Sequence, residues 1–176
     1  MPDAPGLELI AQELDGVRSG SVLGTYHERE QACLIVDGDA IVDVLGWLRD
    51  TPGQEYRFMS SLHGVDYLPA TPRFGVHYEL LNMERVERLR VRAALEDPGG
   101  DSLPEIDSVV ELYPTAEFQE REVYDFFGVV FRGHPDLRRI LMPETYVGWP
   151  QRRDFPVGGE PVVFTYNERE VPRWFE

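Results

Sequence analysis

The chain has 176 residues, with 32 Asp or Glu against 17 Lys or Arg and a formal net charge of -15 at pH 7. At 42 % hydrophobic content it is long enough to bury a real core, and its acidity argues against a nucleic-acid backbone as a partner, because phosphates are held by cationic surfaces. All 17 basic residues are Arg, the cation better suited to bidentate pairing at buried or interfacial positions.

The single cysteine, Cys33, sits in the apolar run 32–36, so no intrachain disulfide forms and a core thiol in a reducing compartment is expected. No uncharged apolar run reaches the ~20 residues of a bilayer span. The opening MPDAPGLELI is acidic and lacks the basic and apolar regions of a targeting peptide. Any contact with a membrane is therefore expected to be indirect.

Leu7, Ile10, Ala11 and Leu14 recur at i, i+3, i+4 and i+7, which predicts a short amphipathic helix stopped at Gly16. Runs 22–26 and 32–36 have strand composition around a charged turn, 27–30, and predict a hairpin. Ile41, Val44, Leu45 and Leu48 return to helical spacing, with Thr51-Pro52-Gly53 as a stop. Residues 56–67 and the alternating Phe74, Val76, Tyr78 and Leu80 predict two strands around a proline loop.

Leu89, Val91, Ala93 and Leu95 alternate with Arg88, Arg90 and Arg92, a strand with one apolar and one basic face. The basic face reads as solvated and paired with cross-strand acids such as Glu79. Ile106, Val109, Val110 and Tyr113 predict a short helix closed by Pro114. A further helix is predicted over 116–127, with Thr115 as its cap and Gly128 as its terminator.

On that helix, Ala116, Glu120, Val123, Tyr124 and Phe127 share one arc, while Phe118, Arg121 and Asp125 lie opposite. A carboxylate on the apolar face needs compensation. Glu120 is thus expected to pair with Arg138, Arg139, Arg152, Arg153 or an Arg of the 88–92 strand, pinning the downstream segment to the domain. Arg121 and Asp125, at i and i+4, are expected as a surface pair.

Residues 129–157 carry Pro135, Pro143, Pro150 and Pro156, which exclude a long helix or a central strand. Their aromatic and aliphatic content argues against disorder. Such a segment either wraps its own domain or forms a protein interface, where Arg and aromatics are favoured. His134 has no second His, Cys or acid pair at metal spacing and reads as structural. No Cys-x-x-Cys, glycine-rich dinucleotide loop or phosphate loop occurs in the sequence, so no cofactor, metal or catalytic residue is expected in this chain.

The run Glu120-Arg121-Glu122-Val123-Tyr124-Asp125-Phe126-Phe127-Gly128 is followed by Gly133-His134-Pro135-Asp136-Leu137-Arg138-Arg139-Ile140-Leu141. Together they resemble the signature of the thirty-kilodalton (C-type) subunit of respiratory complex I, the proton-translocating NADH:quinone oxidoreductase. Pro143-Glu144, Gly148, Pro150 and Arg152-Arg153-Asp154-Phe155-Pro156 continue the likeness, and Val65-Asp66-Tyr67 with 73–81 extends it more loosely upstream. Thr145-Tyr146 and Gln151 depart from the family's usual Asp-Trp and Leu, which leaves the branch and the quinone open.

The resemblance implies an accessory subunit of the peripheral arm, on the cytoplasmic side of a bacterial cell membrane, with no redox centre of its own. Its implied neighbours are the forty-nine-kilodalton-type and iron-sulfur subunits; NADH, FMN, iron-sulfur clusters and quinone belong to the assembly. Related subunits of a membrane-bound hydrogenase or of a cyanobacterial or plastid-type complex are the alternatives, and a free acidic adaptor is a third.

The expected fold is α+β, a mixed and largely antiparallel sheet flanked by helices over 1–128, then an extended carboxy-terminal interaction arm over 129–176. Its expected interface or structural residues are Glu120, Arg121, Glu122, Tyr124, Asp125, His134, Asp136, Arg138, Arg139, Arg152, Arg153 and Asp154. Phe164, Tyr166, Trp174 and Phe175 in the tail are expected to add a second contact.

Overall fold

The first apolar stripe is realised as helix α1 (Ala4–Val17), which buries Leu7, Ile10, Ala11 and Leu14. The Asp3 side chain caps its start by accepting from the Gly6 N–H at 2.8 Å. Gly16 does not stop the helix; the chain leaves it after Val17, where extended Arg18 closes the last turn on the Leu14 carbonyl. The computed structural model describes residues 2–29 and 31–156, so the tail aromatics expected as a second contact lie outside the described residues.

The hairpin follows as β1 (Val22–Glu28) and β2 (Gln31–Asp37), then a 3-10 turn, Gly38–Ala40, and α2 (Ile41–Asp50). Three long strands, β3 (Phe58–Asp66), β4 (Phe74–Asn82) and β5 (Glu87–Leu95), complete a five-stranded sheet in the order β1-β2-β5-β4-β3. All its pairings are antiparallel except β2 with β5. The fold is the expected α+β type, a mixed, largely antiparallel sheet with helices.

Register assigns the two faces. Leu34, Val36, Leu89, Val91, Val76, Tyr78 and Leu80 point into one core, where each buried aliphatic side chain is worth roughly 1.5–3 kcal/mol. All three helices pack on this face: α1 on β1 and β2, α2 through Ile41, Val44, Leu45 and Leu48, and α3 on β3. The opposite face carries Cys33, Arg88, Arg90, Arg92, Glu79, His77 and His63 by the same register.

The segment expected as a helix around Ile106 to Tyr113 is instead a strand, β6 (Glu105–Asp107), and one isolated turn. Ile106 pairs with Phe131 in a two-stranded parallel sheet with β7 (Val130–Arg132). The Val109 carbonyl accepts from both Leu112 and Tyr113, while the Val109 N–H is taken by a side chain on the next helix. A helix cannot propagate from a single turn whose donors are committed elsewhere. That next helix is α3 (Ala116–Phe127), which ends on Gly128 in the left-handed conformation at φ 70°. Thr115 precedes it in helical geometry without capping it; its hydroxyl donates to the Met59 carbonyl at 3.4 Å.

Candidate interaction site: a clasp between helix α3 and the arm

Helix α3 lies between the sheet and the proline-rich segment, and its two faces do different things. The inner face seats Val123 and Phe127 against β3 at Gly64, where an added Cβ would stand 2.7 Å from Phe127 and 3.0 Å from Val123. Glu120 lies on this face and is fully buried, as expected, but no Arg among the described residues meets it. Its carboxylate accepts from the Ser108 hydroxyl at 2.6 Å and the Val109 N–H at 2.8 Å. Burial pushes its pKa up to about 7, against the opposing pull of those two donors. Glu120 therefore ties down the β6 segment upstream of α3, and the expected Glu120–Arg bond to the arm is not formed.

The outer face supplies that bond. Arg121 and Asp125, expected as an exposed surface pair, are both buried, because the arm covers them. Arg121 donates to the carbonyls of Arg138 and Arg139 at 3.2 and 3.4 Å. Asp125 accepts three successive backbone N–H groups, from Ile140 at 3.1 Å, Leu141 at 2.7 Å and Met142 at 2.8 Å. It also takes Arg139 at 2.8 Å. Burial alone would raise the Asp125 pKa, but the Met142 and Leu141 amides, Arg139 and the Ile140 amide hold it below the ordinary value.

Arg139 reaches further along the arm. It donates to the Asp125 carbonyl at 3.0 Å and the Gly148 carbonyl at 2.9 Å. Its guanidinium lies 4.6 Å from the Trp149 ring and 5.8 Å from the Tyr146 ring. Trp149 sits on Gly128, where a Cβ would come within 2.5 Å of the indole, and Tyr124 meets the same ring edge-on at 5.3 Å. The glycine that ends α3 thus serves two needs, a positive φ and room for Trp149.

Arg152 donates to the Phe127 carbonyl at 2.7 Å and lies 4.9 Å from the Phe74 ring; burial, then the nearby Arg73, pulls its pKa down. The Arg153 backbone N–H and the Asp154 carboxylate converge on a node at the β3–β4 turn. There Arg73 forks onto Asp66 at 3.1 and 2.8 Å and bonds Asp97 and Asp154 at 2.8 Å each, while the Arg153 N–H bonds Asp66 at 2.9 Å. Burial opposes ionisation of Asp66, yet Arg73 and the Leu68 and Arg153 amides hold its pKa down at about 2.

His134 is structural: its Nε2 faces the Glu117 carbonyl at 2.9 Å and its Nδ1 accepts from the Asp136 N–H at 3.0 Å. Arg138 and Asp136 pair at 2.9 Å in solvent, and Glu122 is exposed. Asp66 and Arg73 belong to the same constellation as the expected residues, although sequence reasoning placed them only in the looser upstream likeness. The legible signal was an Asp and an Arg flanking one tight proline loop between two strands.

The profile described as "Respiratory-chain NADH dehydrogenase, 30 Kd subunit" matches residues 34–161. The chain belongs to that family. The C-type NADH-quinone oxidoreductase subunit of Herpetosiphon aurantiacus is 47% identical over 141 residues, covering 80% of each chain. The corresponding C-type subunit of Roseiflexus castenholzii is 40% identical over 162 residues, covering 92% of this chain and 91% of its own.

The fold is shared with a solved chain from "Structure of the membrane-bound sulfane sulfur reductase (MBS), an archaeal respiratory membrane complex", at TM-score 0.66 and 24% identity, over 96% of this chain and 94% of that one. Among the described residues of this family member, no helix is long and apolar enough to cross a membrane.

Proposed function

We propose that this chain is an accessory subunit of the peripheral arm of a bacterial proton-translocating NADH:quinone oxidoreductase. In this reading it binds no flavin, iron-sulfur cluster, nicotinamide or quinone. It sits on the cytoplasmic side of the cell membrane, meets the membrane only through its partners, and contacts the forty-nine-kilodalton-type and iron-sulfur subunits near the quinone-reducing end. Its contribution is to assembly and stability.

The observation that carries the reading is the polarity of the clasp. The arm turns its backbone N–H groups and Arg139 inward onto Asp125, while Leu141, Val147 and, from α3, Phe118 remain 61%, 72% and 59% exposed. A solvated loop has the reverse arrangement. An arm whose backbone N–H groups at residues 140–142 are satisfied internally while Leu141 and Val147 face outward is preorganised for a protein partner, which lowers the ordering cost of binding.

The test is replacement of Arg139 by Met in the cell, followed by purification of the complex. Recovery of assembled complex should fall, while whatever assembles keeps wild-type NADH:quinone turnover. The chain purified alone should carry no flavin or iron and should not oxidise NADH. A complex that assembles fully but passes no electrons would overturn the accessory role.

A further inference from the structure

The sheet face turned away from the helices takes no part in the α3 side of the clasp. Register brings Cys33, Arg90 and Arg92 side by side with Glu79, His77, Ser61 and His63 on it. A groove of about 610 Å³ crosses β3, β4 and β5 beside the β1–β2 turn, bounded by Arg29, Arg88, Arg90, Glu79, His63 and Val86. We infer that this face is a docking surface for an acidic segment of a neighbouring protein chain, an inference that rests on the assembly reading above.

Charge complementarity decides the occupant. Arg29, Arg88, Arg90 and Arg92 stand here against Glu28, Glu79 and, at the far end of β2, Asp37, on a chain whose net charge is -15. A local excess of arginine on a chain of this net charge attracts an acidic partner to this face, and such a charge pattern fixes register and disfavours wrong partners.

The sequence reading of this strand as a solvated basic face holds for one pair: Arg90 is tied to Glu79. Among the described residues the side chains of Arg88 and Arg29 have no hydrogen-bond or ion-pair partner, and Arg92 is held over the Tyr67 ring at 3.8 Å with its Nε buried and unbonded. Tyr67 also bonds His77 at 2.7 Å, and His63 stacks on His77 at 5.0 Å. The interlocked rings make a rigid floor. Burial lowers the pKa of both histidines, that of His63 against the opposing pull of Glu79, and that of His77, with His63, Arg90 and Arg92 adding to the effect, to about 3, so the positive charge of the face comes from arginine.

Phenylglyoxal, which modifies exposed arginine, tests coverage when applied to the purified full chain and to the assembled complex. Arg88 should react in the free chain and be protected in the complex. Arg29→Glu with Arg88→Glu, both exposed and without an ion pair among the described residues, should weaken retention in the complex about tenfold at low ionic strength, the difference narrowing as salt screens it. Carboxylate-to-thiol cross-linking from Arg88→Cys should recover an Asp/Glu-rich stretch of another subunit.

Equal reactivity of Arg88 in both states overturns the inference, as does cross-linking to a second copy of this chain. Protection without any effect of charge reversal also overturns it. Failure of the wild-type chain to co-purify with redox subunits would instead refute the assembly reading.

Discussion

Asp125→Ala is the substitution that most directly probes the clasp. It removes an acceptor fully enclosed by three backbone N–H groups and one guanidinium. A hydrogen bond to a charged group is worth ~1.5–3 kcal/mol, and the stranded donors add desolvation cost. Water entering the opened arm recovers part of this, so the local loss is about 2–4 kcal/mol. Hydrogen exchange at the amides of Ile140, Leu141 and Met142 should therefore accelerate roughly 30- to 900-fold, using 1.36 kcal/mol per decade.

The amides of β4 beyond Phe74, on whose ring Arg152 lies, and those of β5 should change far less, because none of the Asp125 bonds reaches these strands. The folded-state pKa of Asp125 lies below its ordinary 3.8, so its stabilisation is present above that value and disappears as pH falls through the lowered one. Wild type and variant should accordingly converge in acid. Unchanged exchange of the three arm amides at neutral pH would show that the arm is held by something other than Asp125.

Glu120 has the opposite sign. Its pKa is raised from 4.5 to about 7 in the fold, so wild-type stability should decline by about 3 kcal/mol as pH rises from about 4.5 through 7 and flatten above. Glu120→Gln keeps an acceptor for Val109 and abolishes that decline, raising the melting temperature at pH 8; superimposable pH profiles would refute the assignment. Gly128→Ala combines a positive-φ penalty of about 1 kcal/mol with a clash on Trp149, for a total of ~2–4 kcal/mol; Trp149 emission should shift to the red. Arg73→Lys replaces a fork that holds Asp66 together with Asp97 and Asp154 by a point charge. Tryptic cleavage at Arg152 and Arg153 should then quicken without loss of the sheet.

Elements whose cause is local were legible in the residues alone. Period and composition placed α1, α2, the hairpin, the three long strands and α3 with its Gly128 terminator, because apolar spacing and glycine conformational freedom act within a few residues. The family was legible too, through a dense run from Glu120 to Pro156. Partners far apart in the chain belonged to the packed molecule. Helical geometry put Glu120 inward and Asp125 outward, but only the assembled fold shows the arm lying on the outward face.

That placement reverses the two roles. The buried glutamate is satisfied by a neutral hydroxyl and one amide, and the aspartate expected in solvent is the one that grips the arm. The same dependence explains the missed helix around Ile106: its apolar spacing was genuine, but its donors and its pairing edge were claimed by Glu120 and β7. An i, i+4 pattern states which residues share a helix face. It does not state what will cover that face, and in this chain the covering segment comes from residues 138–156.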